Sequence, residues 1–123
     1  MINLSVGLAY VHYGLRRQAD NRQYYILQGL TFLFAYYQAR KTSVNIDERQ
    51  EAHYNMGRTY HLLGLTNLSI PYYELVFKEI EDGKVDDVRD DIVVDTAYNL
   101  QSIYAMAGND ELALAVSRKW LVI

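Results

Sequence analysis

Apolar positions recur every three or four residues along most of the chain, the spacing that places them on one face of an α-helix. From Ile2 to about Arg17 they are Leu4, Leu8, Val11 and Leu15, which predicts a first helix. Gln18, Asp20 and Asn21 interrupt the pattern, and Asn21 stands as the N-cap of a long second helix from about Arg22 to Lys41. Its apolar side carries Tyr25, Ile26, Gly29, Leu30, Leu33, Tyr36 and Tyr37. Thr42 to Ile46 reads as a link, with Asn45 and Glu48 at the spacing of a capping box. A third helix then runs to Leu63 and stops at Gly64, which accepts the left-handed conformation of a helix terminator. The fourth begins at Thr66 to Asn67, because Pro71 lacks an N–H and fits only early in a helix. The last part, from Thr96, repeats this turn at Gly108, where Asn109 is an N-cap followed by Asp110 and Glu111 in the first helical turn. The fold class is therefore all-α.

The two helices on either side of Gly64, QEAHYNMGRTYHLLGLTNLSIPYYELVFKEI, carry a recognisable set of large and small residues. His53, Gly57, Tyr60, Ser69 and Tyr73 occupy the large, small, aromatic, small and aromatic slots of a tetratricopeptide (TPR) repeat, which this hairpin resembles. Gly57 lets the facing helix come close, and Tyr60 and Tyr73 fill the remaining space. His53 and Ser69 depart from the usual Trp or Leu and Ala. The segment AYNLQSIYAMAGNDELALAV answers HYNMGRTYHLLGLTNLSIPY position by position, with Tyr98, Asn99, Leu100, Tyr104, Gly108 and Ala113 matching Tyr54, Asn55, Met56, Tyr60, Gly64 and Ser69.

That offset is 44 residues, where a standard repeat has about 34, so an acidic insertion at 81–91 takes up the excess. The resulting expectation is one TPR domain over 1–123, a right-handed solenoid of about three repeats at 1–41, 46–80 and 88–123. Aligning Asn3 with Asn55 puts Ser5 and Leu8 where Gly57 and Tyr60 stand. It also places Met1 at the fourth motif position, as if the first helix began inside a repeat of a longer protein.

Composition narrows the function. Half of the 123 residues are apolar, 22% are charged and one is proline, which fits a globular chain. Cysteine is absent, removing disulfides, thiolate metal sites and cysteine nucleophiles. No apolar run reaches the roughly 20 residues that span a bilayer, and MINLSVGLAY has neither a basic leader nor a small-residue cleavage site, so no membrane role is expected.

The net charge of -3 disfavours a phosphate-tracking surface. Arg16, Arg17, Arg22, Arg40 and Lys41 gather in the first repeat, as a solvated patch or a phosphate contact. Between Glu79 and Asp95, Glu79, Glu81, Asp82, Asp86, Asp87, Asp90, Asp91 and Asp95 face only Lys84 and Arg89, forming a solvated loop or a dock for a basic partner. No histidine or nucleophile adjoins these carboxylates. His53 and His61 are about 12 Å apart along one helix, too far to share a metal, so His53 is expected in the core. No catalytic residue, metal site or cofactor is expected.

The segments NRQYYILQGLTFLF and EAHYNMGR, in this order and with these insertions, make the chain similar to the C-terminal TPR region of the TPR-bearing subunit of TFIIIC, the general transcription factor of RNA polymerase III. The resemblance implies a nuclear, non-catalytic scaffold that links parts of TFIIIC and helps recruit TFIIIB to tRNA and 5S rRNA genes. Its partners would be other TFIIIC subunits and TFIIIB components, with DNA reached only through the complex. The alternative is a free-standing TPR adaptor that captures short peptides.

By analogy with TPR proteins, the first helix of each hairpin lines a concave groove. Here that gives Glu51, Tyr54, Asn55, Arg58, His61 and Leu62, then Asp95, Tyr98, Asn99, Ser102, Ala105 and Met106, with Asn3 the counterpart of Asn55 and Asn99. A row of asparagines can pair with an extended backbone, or can bond between neighbouring helices. Ile2, Tyr54 and Tyr98 stand where chaperone-binding TPR proteins have the Lys or Arg of a carboxylate clamp. At the far end, Trp120 and Leu121 are expected on an apolar surface that contacts a partner or, in the isolated chain, another copy.

Overall fold

The computed structural model describes residues 2–16, 21–82 and 91–121. Among them are six α-helices and no strand: α1 Ile2–Gly14, α2 Arg22–Arg40, α3 Ile46–Leu62, α4 Thr66–Glu81, α5 Asp91–Met106 and α6 Asp110–Trp120. Consecutive helices fold back as three hairpins, as expected of about three TPR-type repeats. The contacts divide into two compact units, Met1–Ala52 and His53–Ile123.

In the first unit α1 and α2 are antiparallel and touch through glycines. A Cβ on Gly7 would lie 2.7 Å from Leu33 Cγ and 2.9 Å from the Gly29 carbonyl oxygen, and one on Gly29 would lie 2.7 Å from the Gly7 carbonyl oxygen. The two backbones therefore approach closely at these glycines, with the Leu33 and Val11 side chains packed beside the contact. This corrects the expected register: Ser5 is exposed and Leu8 only half-buried, while the close approach falls at Gly7, two residues later. Leu4, Val11, Leu33, Tyr36 and Tyr37 are buried in the same unit.

Two capping expectations also change. Asn21 precedes α2 but adopts the left-handed conformation (φ 55°, ψ 41°), and its side chain makes no cap hydrogen bond. At α3 the Asn45 side chain accepts from the Asp47 N–H at 2.9 Å, an N-cap bond to the second helical residue and not the bond to Glu48 of a capping box. Glu48 does not return the bond; it accepts from Ser43 Oγ at 2.5 Å and pairs with Arg40 at 3.1 Å. Charge attraction from α2 outweighs the local cap.

The second unit, from His53, holds most of α3 together with α4, α5 and α6. Gly64 (φ 78°) and Gly108 (φ 79°) close their helices in the same way. The Leu65 N–H donates back to the Tyr60 carbonyl at 2.9 Å, and the Asn109 N–H to the Tyr104 carbonyl at 2.8 Å. These are Schellman closures, which require the positive φ that glycine accepts without strain. Asn109 caps α6 as its sequence predicts, accepting from the Leu112 N–H at 3.2 Å. Pro71 lies inside α4, beyond its first turn. The carbonyl of Asn67 loses its helical donor, but both residues are exposed, so water serves it.

The core of this unit is Tyr73, Val76, Phe77, Val93, Ala97, Leu100 and Ile103, with Ile70, Tyr104, Val116 and Trp120 packed at its edge. It comes from α4 and α5, with α6 packed against its edge, so the third hairpin is stacked on α4. Glu81 ends α4 and Asp91 opens α5; residues 83–90 of the acidic insertion lie outside the described residues.

Candidate protein-binding site

The face that α3 and α5 present is organised from beneath by Tyr73 of α4. Gly57 is fully packed, and a Cβ there would lie 2.5 Å from Tyr73 Cδ1, so the ring occupies the space the glycine leaves. The departure at Ser69 has a purpose: its hydroxyl donates to the Gly57 carbonyl at 2.7 Å, tying α4 to α3 where alanine could not. Tyr60, 7% exposed, stacks on Tyr72 with ring centroids 5.7 Å apart. His53 is buried, as its motif position requires.

Tyr73 is fully buried, yet its hydroxyl reaches the edge of the core. Asn99 Nδ2 of α5 donates to it at 3.4 Å, and His61 Nδ1 of α3 lies 3.3 Å away. Burial pushes the Tyr73 phenol up to about 12, against the Asn99 hydrogen bond that lowers it. Burial lowers the His61 pKa, so its imidazole is neutral at pH 7. Above these groups Arg58, His61, Leu62 and Asn99 line an open recess of about 360 Å³.

Four groove residues named from sequence thus sit together in this unit, with Tyr54 beside them, its ring 6.2 Å from that of Tyr73. Asn55 and Ser102 are half-buried, whereas Tyr98 is 64% exposed and Met106 88%. Asn3 is exposed on α1, in the first unit. Asn99 bonds between neighbouring helices, the second of the two roles open to it. Tyr73 is what sequence reasoning missed: its slot marked a core filler, and only its twelve-residue spacing from His61 across a tight turn hinted that its hydroxyl would meet that ring.

Trp120 and Leu121 are half-buried. The Trp120 ring stacks on Phe77 at 4.5 Å and 13°, and Lys119 covers it while bonding Glu81 at 2.6 Å. The apolar end is thus partly closed by its own chain. Among the described residues no group of three or more His, Asp or Glu side chains could hold a metal ion, and no helix is long and apolar enough to cross a membrane.

No protein-family model matches the chain. It is 41% identical over 129 residues to the transcription factor tau subunit sfc4 of Schizosaccharomyces pombe, an alignment covering 98% of this chain and 13% of that protein. It is 38% identical over 123 residues to the transcription factor tau 131 kDa subunit of Saccharomyces cerevisiae, covering 100% of this chain and 11% of the relative. With general transcription factor 3C polypeptide 3 of Homo sapiens the identity is 35% over 120 residues, or 92% of this chain and 12% of the relative. The chain thus spans 11 to 13% of the length of the curated relatives it matches. Along most of its length it is homologous to TFIIIC subunits, and its helical hairpins are those of a TPR-type protein-interaction module.

Proposed function

We propose that this chain is a non-catalytic scaffold segment of TFIIIC, acting in the nucleus to join subunits of the factor and to help recruit TFIIIB to genes read by RNA polymerase III. The observation that carries the reading is similarity to transcription factor tau and 3C subunits over at least 92% of the chain. A repeat fold supports it, since stacked hairpins offer a long surface for a partner segment. The three repeats serve as one domain, DNA is approached through the complex, and Tyr98 and Met106, exposed on the same helix that carries Asn99, serve as contact area for a partner. Tyrosine supplies such area at low entropy cost.

A photo-cross-linking residue placed at Tyr98 or Met106, with nuclear extract and mass spectrometry, tests this. Cross-links to TFIIIC subunits or TFIIIB components are the expected result. Cross-links confined to short peptide segments of unrelated proteins would replace the scaffold with a free-standing adaptor.

A further inference from the structure

The recess over Tyr73 contains one cation and two neutral polar side chains, and its chemistry narrows what a partner must bring. Arg58 is exposed at its rim and, among the described residues, has no ion-pair partner; the acidic side chains of the ion pairs seen, Glu48 and Glu81, are engaged elsewhere. Asn99 and His61 line the recess with it. We infer that this recess binds a single carboxylate, supplied by an acidic side chain of an extended partner segment. The inference rests on the reading of this face as a protein-binding surface and adds the chemistry of the residue it holds.

The hydrogen bonds beneath the recess define how the site is presented. Asn99 Nδ2 donates to the Tyr73 oxygen, and in the His61 tautomer whose Nδ1 carries no proton the Tyr73 hydroxyl donates to that nitrogen. In that tautomer the imidazole proton is on Nε2, and His61 offers the recess an N–H donor without a charge. One guanidinium with two neutral donors matches one negative charge; a phosphate monoester carries about -1.5 to -2 and would be left undercompensated. Because the buried phenol ties Asn99 of α5 to His61 of α3, the donors are held in place before a ligand arrives, which lowers the cost of binding. A volume of about 360 Å³ exceeds what a lone ion needs, and Leu62, 47% exposed, gives the wall against which the methylene of an acidic side chain can lie.

The test titrates the 123-residue chain with N-acetyl-aspartyl amide, following the side-chain N–H signals of Arg58 and Asn99 and the ring of His61 by NMR. Saturable shifts at all three are expected. Binding should weaken about tenfold or more for N-acetyl-asparaginyl amide and for Arg58→Gln, the size of loss that removing a charged hydrogen bond produces. Arg58→Lys should recover part of it. Equal binding of the asparaginyl amide, or no saturable shift, would overturn the inference; so would tighter binding of inorganic phosphate. Tighter binding of N-acetyl-leucine would transfer the site from an acidic side chain to a chain terminus. If the aspartyl amide binds but cross-links from Tyr98 and Met106 fall on no partner, the protein-binding reading fails and the carboxylate site stands; the reverse outcome removes the carboxylate site alone.

Discussion

The first and second hairpins both bring two helices into unusually close contact, but they do it with different atoms. Between α1 and α2 glycine meets glycine, and an added carbon meets a backbone carbonyl on either side as well as a side chain, Leu33 for Gly7 and Val11 for Gly29. Between α3 and α4 one glycine receives an aromatic ring, and the neighbouring serine hydroxyl holds the pair in register. A side chain can turn, shrink or be replaced, whereas a backbone oxygen moves only if the whole helix moves. The first contact is therefore rigid, and the second is adjustable and can carry a polar network on its outer side.

The largest expected effect is at Gly29→Leu, which must push α1 and α2 apart and should cost about 3 kcal/mol or more. Amide hydrogen exchange across α1 and α2 would show the loss, and trimming Val11 to alanine should not rescue it, because the Gly7 carbonyl stays in the way. Gly57→Leu should cost ~1 to 3 kcal/mol, read as a lower thermal midpoint. Here a second change, Tyr73→Leu, should return part of the loss by emptying the space. Rescue in both hairpins, or in neither, would break the comparison.

The polar network gives the second hairpin a pH signature. The Tyr73 phenol titrates at about 12 in the folded chain against 10.0 ordinarily, so its share of stability is intact below pH 10 and disappears as pH rises towards 12. That share is on the order of 2 kcal/mol, and Tyr73→Phe should make the alkaline limb of a urea-unfolding series shallower, leaving the part due to Tyr60, Tyr72 and Tyr104, whose phenols burial also raises. His61 has the opposite sign. Its lowered pKa makes its contribution present above pH 6.5 and lost as pH falls through the folded value.

Ser69→Ala should cost about 1 kcal/mol, the worth of one buried hydrogen bond whose acceptor keeps its helical partner. Denaturant midpoints would resolve that from zero. The smallest effect is self-association of the isolated chain, visible as concentration-dependent sedimentation. With Trp120 stacked on Phe77, it should respond to Met106→Ser and Leu114→Ser, which are 88% and 49% exposed, more than to Leu121→Ser.

Much of this was legible along the chain. Periodicity placed six helices, Gly64 and Gly108 marked their turns, Asn109 its cap, and Gly57 with Tyr60 and Tyr73 the packed centre of a TPR hairpin. These features depend on neighbours a few residues away or on one tight turn, so local order fixes them. The register of α1 was not legible. Ser5 and Gly7 are both small, and the choice between them depends on where Gly29 of another helix arrives. Asn21 and Glu48 were misread for the same kind of reason: a cap is local, but it yields when the backbone turns left-handed or when Arg40 comes within 3.1 Å.

What the sequence determined by itself is the all-α repeat and the residue types on its faces, because helix period and turn chemistry act over short separations. Only the tertiary structure decided that Arg58, His61 and Asn99 share one recess over a buried phenol. Asn99 and Tyr73 are 26 residues apart, and whether an amide meets a partner's backbone or a neighbouring helix depends on how that helix packs. Side chains that far apart are brought within hydrogen-bonding distance by the burial of Val93, Ala97 and Leu100 against α4, an energy that no local pattern contains.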